Sequence, residues 1–169
     1  MVRAGGRSFV TMPNYWMIVS SAENFEISRE MGFALQGIKS RHRKKAERME
    51  PGDRVLYYLT GVQQFGGTAT ITSPYYEDRA PIWNSKKKGE EYPFRFGIKP
   101  ELILEPGTYV DAKSIVPHLE YVKRWPPQHW HLAFQGNVHL LGEQDFTFIE
   151  GEISQRMPER EASGSAAQG

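Results

Sequence analysis

The sequence predicts an α+β fold: a mixed, mostly antiparallel sheet curled into a small barrel with helices packed outside. Three observations carry this. Period-two alternation of apolar residues recurs in several short stretches, helical spacing is confined to a few segments, and the two do not alternate as repeated βαβ units. A chain of 169 residues suits one well-filled core, and no internal repeat divides it.

The elements follow in order. Tyr15 to Val19 alternates and is rich in β-formers, so it reads as a strand. Ser20-Ser21-Ala22-Glu23 has capping-box spacing, which starts a helix that runs to about Met31 and stops at Gly32. Phe33 to Gln36 is extended and closes at Gly37. Ser40 to Met49 is a basic amphipathic helix ended by the turn Pro51-Gly52-Asp53. Arg54 to Leu59 is apolar on both faces, as a central strand is. Phe65, Gly67, Ala69 and Ile71 alternate along a strand whose glycines leave room for something to approach the backbone. Phe94, Phe96 and Ile98 alternate along the next, with Leu102 and Leu104 resuming beyond Pro100. A short helix over Asp111 to Val116, an edge strand over Trp130 to Phe134, and a closing helix carrying Phe146, Ile149 and Ile153 complete the series.

Composition narrows the function classes. A net charge of +1 excludes coating of nucleic acid by bulk charge, so any electrostatic footprint is local. With no cysteine there is neither a disulfide framework nor a thiolate metal site, and a reducing cytosol is the default compartment. No run reaches the roughly 20 apolar residues of a membrane span, so no membrane partner is expected. Residues 1–13 read as a loose leader, with Met12 a candidate natural start, 14–153 as the folded domain, and 154–169 as a polar tail. The aromatic share of 12%, with four Trp, eight Tyr and nine Phe, must fill a core, a pocket, or both.

Tyr15-Trp16, Ser20-Ser21 with Glu23-Asn24, Gly37 before the basic helix, and Pro51-Gly52-Asp53 before a hydrophobic strand form an ordered series. It continues through Pro74-Tyr75-Tyr76-Glu77-Asp78, Tyr92-Pro93-Phe94-Arg95 and the Trp130 segment. This series resembles the EVE-domain family of the PUA-like superfold, related to YTH and ASCH domains. The resemblance implies a pseudo-barrel flanked by helices and a reader of modified bases in DNA or RNA. Members often carry Trp where this chain has Gln36, which would make one wall of the aromatic cage polar.

Recognising a base needs a π surface and hydrogen-bond partners aimed at the base edge. On that pattern the base pocket is expected from Ser20, Ser21, Asn24, Gln36, Gly37, Tyr75 and Trp83, with Trp83 as the cage wall. A cavity one planar ring thick between Asn24, Gln36 and Trp83 is the expected form. Each residue also has a plain structural use: Ser20 or Ser21 as a helix cap, Trp83 as packing over the barrel, Gln36-Gly37 as a simple turn. Lys39, Arg41, Arg43, Lys44, Lys45 and Arg48 put six positive charges into ten residues, a density that suits a phosphate backbone or a solvated helix face.

Rival classes rest on less. Gly37, Lys39, His42 and Lys44 fall at the spacing of a Gly-x-Lys-x-x-Glu-x-Arg pattern taken as a possible active site in ASCH domains, but Glu is replaced by His42 and Arg by Lys44. His129 and His131 would point to one side of a strand, yet no third ligand accompanies them, so no metal and no cofactor are expected. The sequence therefore reads as non-catalytic, with a nuclease and a protein-interaction module as the alternatives.

Overall fold

A computed structural model describes residues 12–158. Its strands are β1 (Tyr15–Ser21), β2 (Leu35–Ile38), β3 (Arg54–Thr60), β4 (Gln64–Ile71), β5 (Tyr76–Glu77), β6 (Phe94–Ile103), β7 (Val110–Asp111) and β8 (Val138–Leu141). The helices are α1 (Ala22–Glu30), α2 (Arg43–Arg48), α3 (Ala112–Ile115) and α4 (Glu143–Arg156), with short 3-10 segments over Ser40–His42, Val116–His118 and Pro127–Phe134. Most of the expected leader and much of the expected tail lie outside the described residues, although α4 carries the chain three residues past Ile153. No described helix is long and apolar enough to cross a membrane.

One curled sheet holds the main strands in the order β2-β6-β4-β3-β1-β8, forming a half-barrel. Every main pairing is antiparallel except β1 with β3, which run parallel from Tyr15 opposite Arg54 to Ser21 opposite Thr60. That parallel pair is why the sheet is mixed: α1, β2 and α2 form the crossover that a parallel connection needs. Strand β3 is central, and Val55 to Leu59 are all buried. The glycines of β4 do admit close neighbours, but these belong to the protein. A Cβ on Gly66 would lie 2.9 Å from the Phe25 ring, and one on Gly67 would lie 2.6 Å from the Leu102 carbonyl oxygen.

Two expectations change. Trp130 to Phe134 is not an edge strand but part of a 3-10 segment, begun by Pro126-Pro127, whose rings fix φ and remove amide donors. The edge position belongs to Val138–Leu141, which pairs with Tyr15 to Ile18. Trp130 is half-buried at the margin of the core, against Phe134 at 5.7 Å. His129 and His131 consequently do not share a strand face. Their ring centroids lie 6.3 Å apart, and among the described residues no group of three His, Asp or Glu is placed to hold a metal.

The outer strands β2 and β8 do not pair with one another, so the barrel has a seam. Side chains close it. Asn137, buried just before β8, accepts from the Lys39 amide at 2.9 Å and donates to the Val19 carbonyl at 3.4 Å. Lys45 reaches across from α2 to the Val138 carbonyl at 2.7 Å.

At the opposite end of the parallel pair, buried Asp53 is a hub. Its carboxylate accepts from the Asn14 amide, the Trp16 indole and the Glu50 amide at 2.9, 2.9 and 3.1 Å. Asp53→Ala leaves three donors without their acceptor, and charged hydrogen bonds of this kind contribute about 1.5–3 kcal/mol each before relaxation. A loss of about 3 kcal/mol in unfolding free energy is expected, read as a lower urea midpoint with an unchanged denaturant slope.

Candidate functional site

The expected pocket residues converge on the seam, except one. Ile18, Val19, Ser20, Asn24, Gln36, Trp83, Tyr92 and Asn137 surround a niche of about 10 Å³. That is room for roughly one water and not for a nucleobase. The ring-thick slot expected between Asn24, Gln36 and Trp83 is therefore filled by the protein's own atoms.

Each filling contact has a cause. Gly37 in β2 has no side chain, and the Trp83 ring takes the vacated space: a Cβ there would stand 2.5 Å from Cζ3 of Trp83. The indole N–H donates to the Ser28 hydroxyl at 2.9 Å, and the Arg95 guanidinium lies 5.4 Å from the ring centroid. Trp83 is 7% exposed. Gln36 spends its carboxamide inward, accepting from the Tyr57 hydroxyl at 2.8 Å and donating to the Gly37 carbonyl at 2.9 Å. Ser21 caps α1 by accepting from the Asn24 amide at 3.0 Å, and the Ser20 hydroxyl donates to the Ser21 carbonyl.

Asn24 shows what closes the niche. Its side-chain Oδ1 accepts from the Asn84 amide at 2.9 Å, and its Nδ2 donates to the Asn84 carbonyl at 2.8 Å. The N–H and C=O of one residue, from two successive peptide groups, thus satisfy both halves of the carboxamide. Asn84 belongs to the stretch between β5 and β6, which has no regular secondary structure from Asp78 to Pro93.

Tyr75 is the residue that the structure separates from the others. It packs edge-on against Phe94 at 5.8 Å beside the core and borders neither the niche nor the groove outside it. The aromatic neighbour at the seam is Tyr92, 5.8 Å from Trp83 and half-buried. Tyr92 stands in the motif Tyr92-Pro93-Phe94-Arg95, but β-strand alternation starting at Phe94 gives no reason to aim it at the site.

Outside the niche lies an open groove of about 470 Å³ that shares Val19, Asn24 and Tyr92 with it. Lys39, Arg41, Lys86 and Lys87 line the groove against two carboxylates, Glu23 and Glu90. Glu90 binds both Lys39, at 3.2 Å, and Arg41, at 2.8 Å. Burial disfavours its charge, yet the Ser85 hydroxyl and the two cations hold its carboxyl below the ordinary range. Lys86 and Lys87 were legible as a lysine run with Lys88, without any sign that they share a groove with Lys39.

The basic cluster is thus divided. Lys39 and Arg41 face the groove, while Lys45 closes the seam, Arg43 lies over Phe94 at 4.8 Å, and Arg48 lies over Trp16 at 5.8 Å. Lys44 is exposed and borders neither cavity. The Gly37, Lys39, His42, Lys44 series does not converge either. His42 is half-buried, its Nε2 has no hydrogen-bond partner, and burial with Lys45, Arg41, His139 and Lys39 nearby lowers its pKa to about 4.

YTH domains of known structure share this fold, a mixed half-barrel with helices outside. The YTH domain of the Zygosaccharomyces rouxii MRB1 protein, in complex with N6-methyladenosine RNA, superposes with a TM-score of 0.60 at 15% identity, over 86% of this chain and 92% of that one. The Mmi1 YTH domain in complex with RNA gives 0.59 at 11% identity, over 86% and 82%. In sequence, a UPF0310 protein of Pyrococcus abyssi is 27% identical over 145 residues, covering 81% of this chain and 97% of that protein. The chain belongs to the EVE domain family, which matches residues 14–139.

Two outcomes follow from this packing. Gly37→Ala forces a methyl group into the Trp83 ring and should cost about 2 kcal/mol, with Trp83 expelled toward solvent, seen as a red-shifted tryptophan emission. His42 protonates more readily unfolded, near pH 6.5, than folded, near 4, so its contribution to stability falls as pH drops through that window and is level below it. His42→Gln should shrink the difference between melting temperatures at pH 7 and pH 4.5; an unchanged difference would place the acid sensitivity elsewhere.

Proposed function

We propose that this chain is a non-catalytic module that binds single-stranded nucleic acid at the seam, reading one unpaired and modified base with Asn24. The observation that carries this is the Asn24 carboxamide, a paired donor and acceptor held rigidly at the inner end of a groove lined by four cations. A carboxamide can pair with the donor and acceptor atoms of a base edge, and phosphates on either side suit Lys39, Arg41, Lys86 and Lys87. The RNA complexes of YTH domains that share the fold support the same ligand class.

In the free protein, the Asn84 peptide occupies the edge of Asn24 that a base would use. Binding on this reading is an exchange. The 84–88 segment moves out, Asn24 trades one amide edge for another, and Tyr92 and Trp83 become surfaces on which the base stacks. Because hydrogen bonds are exchanged one for one, the net cost is that of moving the segment. The modification adds apolar contact with the two rings, which is how a methylated base would be preferred over a bare one.

Non-catalysis fits the placement of the ASCH-type residues. His42 has a strongly depressed basicity and no access to the groove, and Lys39 is held by Glu90. Of the two carboxylates that line the groove, Glu90 is bound by Lys39 and Arg41 with its pKa held below the ordinary range, which suits it poorly to take a proton.

Fluorescence anisotropy with short single-stranded RNA and DNA, with and without methylated bases, tests the proposal. Lys86→Gln with Lys87→Gln should weaken all sequences alike and reduce the slope of log affinity against log salt by about 1.4, whereas Lys44→Gln should change neither. Asn24→Ala should erase the preference for the modified base. Equal loss from Lys44 and from Lys86/Lys87 would relocate the strand to the α2 face, and a modification preference surviving in Asn24→Ala would remove Asn24 from base reading.

A further inference from the structure

A second cleft lies on the other side of the β3–β4 turn. It has a volume of about 890 Å³, near the upper end of the roughly 300–1,000 Å³ range of small-ligand sites. Trp125 and Trp130 present indole rings to it, and Lys113, Lys123 and His131 are its titratable lining groups. Among the described residues no carboxylate lines it. Trp125 is 36% exposed, which leaves part of its ring free to meet a ligand in the cleft. Lys123 pairs with Glu120 at 2.6 Å on the rim, while Lys113 makes no ion pair among the described residues.

The cleft and the seam groove are neighbours. Thr60 borders the groove, and Gln63, three residues further along the same turn, borders the cleft. Gly136 borders the groove, and His131, on the preceding 3-10 segment, borders the cleft. The ridge between them is the turn Gly61-Val62-Gln63, whose Val62 is 48% exposed and whose Gln63 holds a φ of 57°. The left-handed backbone at Gln63 closes the three-residue loop between β3 and β4, as hairpin loops of this length commonly do.

We propose that this cleft is a second nucleotide subsite, which stacks the bases flanking the one at Asn24 on Trp125 and Trp130 and takes a flanking phosphate at Lys113. The inference rests on the nucleic-acid reading of the seam groove. Its own support is the exposed Trp125 ring and the half-buried Trp130 ring beside Lys113, which has no ion-pair partner among the described residues, a combination of aromatic surface and cation that holds single strands without regard to sequence. A turn-wide ridge lets the strand pass from one cavity to the other without doubling back. The molecule would then read one base at the seam and grip its neighbours beyond the ridge, so that affinity grows with strand length on one side of the recognised base only.

The test uses oligonucleotides of three and nine residues carrying the same modified base, with the extension placed on the 5′ or the 3′ side. Trp125→Ala should lower affinity for one of the two extended strands about tenfold while changing the trimer less than twofold. Lys113→Gln should lower the salt slope for that same strand by about one. Because Trp130 is half-buried and its loss could disturb the fold, photocrosslinking replaces its mutation: a 4-thio pyrimidine two positions from the recognised base should link to peptide 125–131. If Lys86→Gln weakens both lengths while Trp125→Ala weakens neither, the groove stands and the cleft is overturned. If neither length binds at all, the seam reading fails and the cleft fails with it. Strands held through Trp125 but indifferent to Lys86 and Asn24 would overturn the continuity of the two sites.

Discussion

The fold depends on a seam that no backbone pairing closes. Strands β2 and β8 stand at the two ends of the sheet, and the curl of the sheet brings them to the same side of the barrel. Unpaired strand edges must be covered, and here side chains cover them: the Asn137 carboxamide bridges Lys39 to Val19, Lys45 holds Val138, and Trp83 fills the space left by Gly37. A side-chain closure differs from a strand ladder in one respect that matters for function. It can be opened locally without breaking the sheet, because β1, β3, β4 and β6 keep their own pairings.

This placement explains why polar residues are buried where they are. Asn24, Gln36 and Asn137 are each 6% exposed or less and all sit at the seam. In an apolar barrel such groups would be costly unless paired, and each of them is paired: with the Asn84 peptide, with Tyr57 and Gly37, and with Lys39 and Val19. Burial also raises the Tyr57 and Tyr92 hydroxyl pKa values, keeping both as neutral donors to their oxygen partners.

Much of the fold was legible because local and long-range signals agree. Ser21 caps α1 where the capping-box spacing put a helix start, Gly32 takes a φ of 71° where the helix ends, and β3 is buried on both faces as its unbroken apolar run implied. The edge strand was misplaced because Trp130 to Phe134 has β-forming composition, whereas the two preceding prolines commit the chain to a 3-10 path. The site was legible in part for a different reason. Gly37, Gln36, Asn24 and Trp83 meet at the seam, but whether the space among them is empty depends on how far the 78–93 segment folds inward, a distance that no periodicity encodes. Tyr75 and Tyr92 illustrate the limit: both are aromatic, flank the same stretch and neighbour prolines, and only the return path into β6 decides that Tyr92 faces the seam while Tyr75 packs on Phe94.

The closed niche bears on how such a protein would select its ligand. An open aromatic slot would admit any planar ring, and discrimination would then rest on the affinity of each ring for the slot. A niche kept shut by an amide pair sets a threshold instead, since every entrant must replace the Asn84 edge on Asn24 and offset the displacement of its segment. A ligand that matches the edge but adds little stacking gains nothing over the resident peptide. On the proposed reading, one that matches the edge and also fills the space beside Tyr92 and Trp83 would gain the apolar contact as surplus, and a preference for the bulkier base would arise from what the closed state already satisfies. On the same reading the cations at the mouth would supply the encounter but not the choice, since Glu90 already shares Lys39 and Arg41 and would moderate their pull on a strand.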